Sequence, residues 1–275
     1  MRVANPPVIW PSEAIWEAVA PILPNFTVEV LPEIDSTNSE LMRRAKAGQA
    51  EPILLVAEKQ TAGRGRLGRE WHDLGERTET VPALTFSFGL PLAPNDWSGL
   101  SLAVGVSIAQ SLHADIGLKW PNDLWLHDRK LAGILIETCA VGQSRYVVIG
   151  VGINVTEPAS MQASQAANLR TPPAWLQELL PQVNSPEALQ HIALPLVRTV
   201  LEFAEQGFAP FQARFNSLDV LRDRQVSINN PSIETTSYVK TTGVAQGVND
   251  KGELEIQTAQ GKIAINSSEV SVKPL

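Results

Sequence analysis

Three apolar segments in the middle of the chain are joined by connections too short to cross over a sheet. The segments read GLKWPNDLWL, RKLAGILIETC and RYVVIGVGINV, and only HD and AVGQS separate them. Parallel neighbours need a crossover of about a dozen residues or more, so these segments can pair only as an antiparallel meander. The rest of the fold must be arranged around that meander.

Segments on either side of the meander supply further strands and helices. FTVEVLPEI, PILLVAEKQ and ALTFSFGL have the alternation or the apolar runs of strands. A helix is predicted after Asp35, with Thr37 and Glu40 at capping-box spacing and Gly48 at its end. Other helices are predicted over Ser12 to Ile22, Trp97 to Gly117, Pro173 to Leu180 and Pro186 to Gln206. The fold class is therefore α+β, with a mixed, largely antiparallel sheet covered by helices.

The pattern changes after about Leu218. RQVSINN, SYVKTTGVAQGV, GELEIQTA and KIAINSSEVSV are short, alternating segments with tight turns between them. Such a run predicts a small β-barrel. We therefore expect two domains, over residues 1–218 and 219–275.

Composition excludes several classes of protein. The net charge of −7 argues against general binding to nucleic acid, because neutralising phosphates requires a basic surface. No apolar run reaches the 18 residues of a membrane span, and the N-terminus lacks the apolar stretch of a signal peptide. The single cysteine, Cys139, is compatible with a reducing compartment. We expect a cytoplasmic protein without nucleic acid or membrane partners.

The stretch EKQTAGRGRLGREW concentrates glycine and arginine in a chain that is acidic overall. Its glycines match G-x-G-x-x-G, but the residues after Trp71 have no helical periodicity, so a Rossmann loop is set aside. Arginine forks suit phosphate and carboxylate, and glycines let the backbone approach a ligand. An anion-binding loop is favoured over a solvated basic turn. The residues are Gly63, Gly65, Gly68, Arg64, Arg66 and Arg69.

Two other motifs carry chemistry less clearly. In KWPNDLWLHDRK, the polar residues Lys119, Asn122, Asp123 and Lys130 interrupt an otherwise apolar hairpin. On one extended strand Lys119 and Asp123 would share a face. Taken alone, these residues are better explained as a surface ion pair and a hairpin lysine. Gly150 and Gly152 leave one face of an apolar strand without side chains. That face either receives a ligand or packs tightly against another part of the protein.

Together, these motifs resemble the biotin–protein ligases. DSTN, EKQTAGRGRLGREW, KWPNDLWLHDRKLAGIL and VIGVGINV occur in the order of that family, and Lys130 follows Lys119 by eleven residues. The resemblance implies a catalytic domain built like the core of class II aminoacyl-tRNA synthetases, followed by an SH3-like barrel. It implies that biotin attacks ATP to give biotinyl-adenylate and pyrophosphate, with Mg²⁺ bridging the phosphates. Biotin then passes to a lysine of the biotin carboxyl carrier protein of acetyl-CoA carboxylase.

The resemblance also implies roles for individual residues. Arg64, Lys130 and Asp123 would be catalytic. Biotin would be bound by Ser36, Thr37, Asn38, Gln60, Gly63, Arg64, Lys130, Gly150 and Gly152. The adenylate would be bound by Arg66, Arg69, Trp71, Lys119, Asn122 and Asn154. Leu67 replaces a further arginine common in the family, and HDLGERTETVP stands where many relatives have a shorter turn.

Three rival interpretations remain open. Lipoate–protein ligases share the architecture and the acyl-adenylate chemistry, although the glycine–arginine motif with KWPND favours biotin. A DNA-binding repressor would need a further N-terminal domain, and only about 30 residues precede DSTN. A binding protein without turnover is the third. The four histidines lack metal-ligand spacing. The protein is expected to be a monomer or a homodimer.

Overall fold

The meander forms the centre of a seven-stranded sheet. The computed structural model describes residues 8–71, 81–158, 171–231, 238–266 and 271–274. In that part of the chain the strand order is β1-β2-β3-β7-β6-β5-β4, with β1 and β2 parallel and the other neighbours antiparallel. The strands are β1 (Thr27–Leu31), β2 (Ile53–Ala57), β3 (Ala83–Pro91), β4 (Gly117–Lys119), β5 (Asp123–Leu126), β6 (Arg129–Val141) and β7 (Ser144–Asn154). The predicted mixed, largely antiparallel sheet is confirmed.

The first segment of the meander is two strands rather than one. Pro121, which follows a cis peptide bond, has no backbone N–H, and the chain turns back there between β4 and β5. Lys119 and Asp123 consequently lie opposite each other on neighbouring strands. The expectation that they stand four residues apart on one strand was wrong.

Helices cover both faces of this sheet. They are α1 (Ser12–Val19), α2 (Thr37–Lys46), α3 (Leu100–Leu112), α4 (Ser185–Gln206) and α5 (Ala209–Leu218). Along β7, Val147, Ile149 and Val151 belong to the main core with α3 and α4, whereas Tyr146 and Val148 pack with Leu41 of α2. The alternation places α2 on the face opposite to α3.

Helix boundaries differ from the sequence pattern in several places. Ser36, not Thr37, caps α2, since its hydroxyl accepts the Ser39 N–H at 3.4 Å. The predicted helix from Trp97 to Gly117 is shorter, because His113 is extended and Gly117 already belongs to β4. Pro173 to Leu180 contains only a 3₁₀ turn at Leu176–Glu178, and α5 was missed. No helix in the described ranges combines the length and apolarity needed to cross a membrane.

The last five strands form a second sheet, which is antiparallel. Its order is β11-β10-β9-β8-β12, built from β8 (Gln225–Pro231), β9 (Tyr238–Val248), β10 (Leu254–Thr258), β11 (Gly261–Ile265) and β12 (Ser271–Pro274). Within the described residues no pairing of β11 with β12 closes it, so the sheet is open where a barrel was expected. The Trp120 indole donates to the Gly252 carbonyl at 3.1 Å, which ties a turn of this sheet to the β4–β5 turn.

Asp219 lies where the chain passes from α5 towards the second sheet. It forms a bridge with Leu118 of β4, and its Oδ1 accepts the Leu221 N–H at 2.9 Å. Its Oδ2 is buried without a hydrogen-bond partner in the part of the chain that is described. Burial raises the pKa of this carboxyl from 3.8 to about 6.

Replacing Asp219 with asparagine should stabilise the protein at neutral pH. The raised pKa means that the folded state binds the proton more tightly than the unfolded state, so the carboxylate destabilises the fold above about pH 6. The cost of the carboxylate accumulates between about pH 4 and pH 6 and is complete above that range. We expect Asp219→Asn to raise the free energy of unfolding by up to about 3 kcal/mol at pH 7.5, and by much less below pH 4. Urea unfolding at both pH values measures the difference. The exposed Asp115→Asn is the control, and an equal gain at both pH values for Asp219→Asn would contradict this explanation.

Candidate functional site

A pocket of about 120 Å³, partly open to solvent, lies beside the start of α2. Its walls come from α2, from residues 60–71, from the β4–β5 turn and from β6 and β7. Thirteen of the predicted site residues line it, and they come from four separate parts of the chain: Ser36, Thr37, Asn38, Gln60, Arg64, Arg66, Arg69, Trp71, Asn122, Asp123, Lys130, Gly150 and Gly152.

The other three predicted residues stand outside the pocket lining. The Lys119 ammonium lies over the Trp125 ring, 5.2 Å from its centroid. Asn154 is buried, and its Nδ2 donates to the Lys130 carbonyl at 3.3 Å. Gly63 accepts the Trp71 N–H at 2.9 Å. Asn154 and Gly63 thus support residues that do line the pocket.

The glycine–arginine loop, residues 63–71, is a small β-hairpin. Arg64 pairs with Glu70, and the Gly65 N–H donates to the Arg69 carbonyl at 2.7 Å. At the tip, Leu67 (φ 58°) and Gly68 (φ 68°) both have positive φ, as a type I′ turn requires. Leucine rarely adopts this conformation, and the Leu67 side chain is exposed. The hairpin folds its arginines back towards the sheet.

Hydrogen bonds fix the polar groups at the start of α2. The Thr37 N–H donates to Gln60 Oε1 at 2.8 Å. Ser87 Oγ lies 2.7 Å from Thr37 Oγ1 and 2.6 Å from Asn38 Oδ1. An amide oxygen can only accept, so the single Ser87 proton belongs to the contact with Asn38. The Thr37 hydroxyl, which also lies 3.2 Å from Gln60 Oε1, thus contacts both Gln60 and Ser87.

Asn38 lines the pocket and is held by several hydrogen bonds within the protein. Its Nδ2 donates to Glu137 Oε2 at 3.0 Å and to the Leu135 carbonyl at 3.3 Å, while its Oδ1 accepts from Ser87. Both amide protons are therefore used within the protein. Asn38, predicted among the biotin-binding residues, acts in this geometry as a support for the pocket.

The two glycines of β7 make room for protein side chains. A Cβ at Gly150 would lie 2.0 Å from Asn38 Oδ1, and one at Gly152 would lie 2.4 Å from Trp71 Cε2. Tight packing, one of the two explanations left open by the sequence, accounts for both positions. Both glycines also line the pocket, and their role as a wall for a ligand ring stays a prediction.

Positive charge is concentrated along one side of the pocket. The Lys130 ammonium is 2.7 Å from Asp123 Oδ1 and 5.9 Å from the centroid of the Trp71 ring. Arg66 donates to Asn122 Oδ1 at 3.4 Å. Burial lowers the pKa of the Arg66 guanidinium, and the nearby Asp123 carboxylate partly opposes that shift. An anion bound beside Arg66 would compensate for the water that this guanidinium has lost.

Sequence reasoning missed two residues that organise the site, Ser87 and Glu137. Glu137 binds Arg64 through two hydrogen bonds of 2.8 and 3.1 Å. Ser87 and Glu137 are polar residues inside otherwise apolar strands, and this contrast was the sequence signal that could have identified them. The pattern alone gives no partner for either.

No three or more His, Cys, Asp or Glu residues in the described ranges are grouped to hold a metal ion. His72 and most of HDLGERTETVP lie outside the described residues. A Mg²⁺ ion commonly binds through substrate phosphates and one or two carboxylates. Asp123 and Asn122, which line the pocket, are oxygen donors of that kind.

Comparison with known families and proteins gives consistent matches. Residues 30–154 match the Biotin/lipoate A/B protein ligase family, and residues 238–273 match the Biotin protein ligase C terminal domain. The chain is 34% identical over 260 residues to the bifunctional ligase/repressor BirA of Escherichia coli, covering 88% of this chain and 75% of BirA. It is 29% identical to the biotin–[acetyl-CoA-carboxylase] ligase of Paracoccus denitrificans, covering 88% of this chain and 98% of that protein.

A solved structure has the same architecture. The biotin protein ligase from Aquifex aeolicus in complex with biotin and ATP superposes with a TM-score of 0.73 at 26% identity. The match covers 90% of this chain and 99% of that one. The similarity therefore includes both sheets.

The contact between Gly150 and Asn38 can be tested by a double-mutant cycle. Gly150→Ala should lower the free energy of unfolding by about 2–4 kcal/mol, because the new methyl group displaces a side chain held by three hydrogen bonds. In an Asn38→Ala background the same change should cost under about 1 kcal/mol. Urea unfolding of the four proteins measures the coupling. Equal costs in both backgrounds would show that Asn38 is not what Gly150 accommodates.

Proposed function

The chain belongs to the biotin protein ligase family, and we propose that its pocket activates biotin with ATP and then transfers biotin to a carrier protein. The family matches and the biotin- and ATP-bound relative support this function. The observation that carries it is the convergence of the glycine–arginine hairpin, Lys130 and the start of α2 on one pocket. Activation of an acid by ATP requires such a combination, because two anions must be held together.

Biotin is assigned to the end of the pocket near α2. Ser36, Thr37 and Gln60 offer hydroxyl and amide groups there, which suit an uncharged ureido ring. Leu135 supplies apolar lining for the remainder of the molecule. Asn38 and Ser87 orient Thr37 without binding the ligand themselves.

The reacting carboxylate and the phosphates are assigned to the cationic side. Arg64, Arg66, Arg69 and Lys130 line it. An anion would offset the burial of Arg66, and Asp123 holds the Lys130 ammonium where it can meet the carboxyl and phosphate oxygens. This arrangement stabilises negative charge as it develops on those oxygens. Adenine contacts are assigned to Trp71.

Mg²⁺ is proposed to enter with ATP, with Asp123 and Asn122 as its protein ligands. When bound, it would neutralise phosphate charge. The pocket residues themselves bind both reactants, orient them and exclude water.

The acceptor is proposed to be a lysine of the biotin carboxyl carrier protein of acetyl-CoA carboxylase, as the names of relatives suggest. Three expectations remain predictions: a cytoplasmic location, a domain boundary between residues 218 and 219, and the absence of a nucleic acid partner. Lipoate is the alternative substrate, since the matching family includes lipoate ligases. The biotin ligases among the relatives favour biotin.

Release of pyrophosphate from ATP tests the function directly. We expect release with biotin and not with lipoate, followed by biotin transfer to a carrier domain. Lys130→Ala and Arg64→Ala should each slow pyrophosphate release by about 100-fold or more, because each removes a charge that stabilises the reacting oxygens.

Lys262→Ala is the matched control, since Lys262 pairs with Glu255 in the second sheet, away from the pocket. Circular dichroism should be unchanged in all three variants. Faster pyrophosphate release with lipoate than with biotin would show that lipoate, not biotin, is the substrate. Near-normal activity of both pocket variants would remove the assignment of Lys130 and Arg64.

A further inference from the structure

Glu137 lies behind the pocket and binds groups from two of its walls. It stands on β6, outside the set of lining residues. Its Oε2 accepts from Asn38 of α2 at 3.0 Å and from Arg64 of the hairpin at 3.1 Å, and its Oε1 accepts from Arg64 at 2.8 Å. One carboxylate therefore joins the sheet, the helix and the glycine–arginine hairpin.

The pair with Arg64 is more constrained than an ordinary surface ion pair. Exposed pairs contribute little, because both side chains must be ordered and water screens the charges. Here the two nitrogens of the Arg64 fork bind the two oxygens of Glu137, whose side chain is only 22% exposed. Paired hydrogen bonds of this kind fix the plane of the guanidinium as well as its distance.

Glu137 is itself held in place from the other side. Asn38 donates to it, and Asn38 is fixed by Ser87 and by the close approach of Gly150. The polar contacts that run from Thr37 through Ser87 and Asn38 thus end at the carboxylate that holds Arg64. A displacement of Thr37 or Asn38 would therefore move Glu137 and, through it, Arg64 of the hairpin.

Arg64 keeps donors for a ligand while it is held. A guanidinium has five N–H donors. Two donate to Glu137, and a third contacts Ser39 Oγ at 3.5 Å. Two remain for an anion in the pocket that Arg64 lines.

We infer that Glu137 is a positioning residue: it holds the glycine–arginine hairpin against the sheet and orients Arg64 towards the reacting anions. The role in catalysis rests on the proposed function, whereas the hold on the hairpin does not. The two parts can therefore be tested separately.

Trypsin tests the hold on the hairpin without any substrate. It cleaves after arginine, and Arg66 and Arg69 lie in the hairpin beyond Arg64. Glu137→Gln should increase cleavage after these two residues by about tenfold, because a glutamine N–H₂ group faces one nitrogen of the Arg64 fork and cannot accept from it. Mass spectrometry identifies the cut sites. An unchanged rate would overturn the inference.

Glu29→Gln is the matched control for this experiment. Glu29 forms a comparable two-bond pair with Arg44, at 2.6 and 3.0 Å, outside the pocket lining. The Glu29→Gln substitution removes the same charge from a paired carboxylate elsewhere on the surface. Cleavage in the hairpin should match the wild type, and a similar increase in this variant would show a general loosening instead of a specific hold.

Pyrophosphate release tests the role in catalysis. Glu137→Gln should lower kcat/KM for biotin by about 10–100-fold, the usual cost of losing hydrogen bonds to a charged group. In an Arg64→Ala background the same change should have an effect of less than about twofold, because Glu137 acts through Arg64.

The outcomes separate the inference from the proposed function. Independent, multiplying effects of the two substitutions would overturn the positioning role. Wild-type protein that releases no pyrophosphate with biotin would refute the proposed function, and the trypsin result would still decide whether Glu137 holds the hairpin.

Discussion

The register of three adjacent strands decides which residues reach the pocket. Ser87 of β3, Gly150 of β7 and Leu135 of β6 stand in one row across the sheet. Thr85, Gly152 and Gly133 stand in the next row that faces the same side. A slip of one residue would turn these positions into the core and bring large apolar side chains to the pocket. The large core on the α3 face prevents that slip, so packing on one face stabilises the chemistry on the other.

Charge in the pocket is concentrated but largely balanced. Lys130 and Arg64 are each held by a carboxylate, whereas burial lowers the pKa of Arg66. A fully unbalanced cluster of cations would repel itself and weaken the fold. Pairing removes most of that repulsion, and it also orients the cations before a ligand arrives.

Much of the fold and the identity of the site could be predicted from the sequence. The short connections around Arg129 and Arg145 allowed only a meander, and the glycine–arginine motif with Lys130 lines the pocket. The contacts that each site residue makes were harder to predict than its presence in the site. Contacts between distant segments depend on strand register and on how closely two backbones approach each other. Gly150 accommodates Asn38 for this reason, and Glu137 gains its importance only from the segments that fold against it.

The contact between Trp120 and Gly252 makes the second sheet part of the environment of the pocket. Trp120 directly precedes the turn that carries Asn122 and Asp123, and its indole hydrogen is satisfied by a carbonyl from the far end of the chain. A shortened version of this protein that lacks the second sheet, made for use as a labelling reagent, would leave the Trp120 N–H without its acceptor. That unsatisfied donor would lie next to Asn122 and Asp123. Anyone who removes the second sheet would therefore also have to replace Trp120.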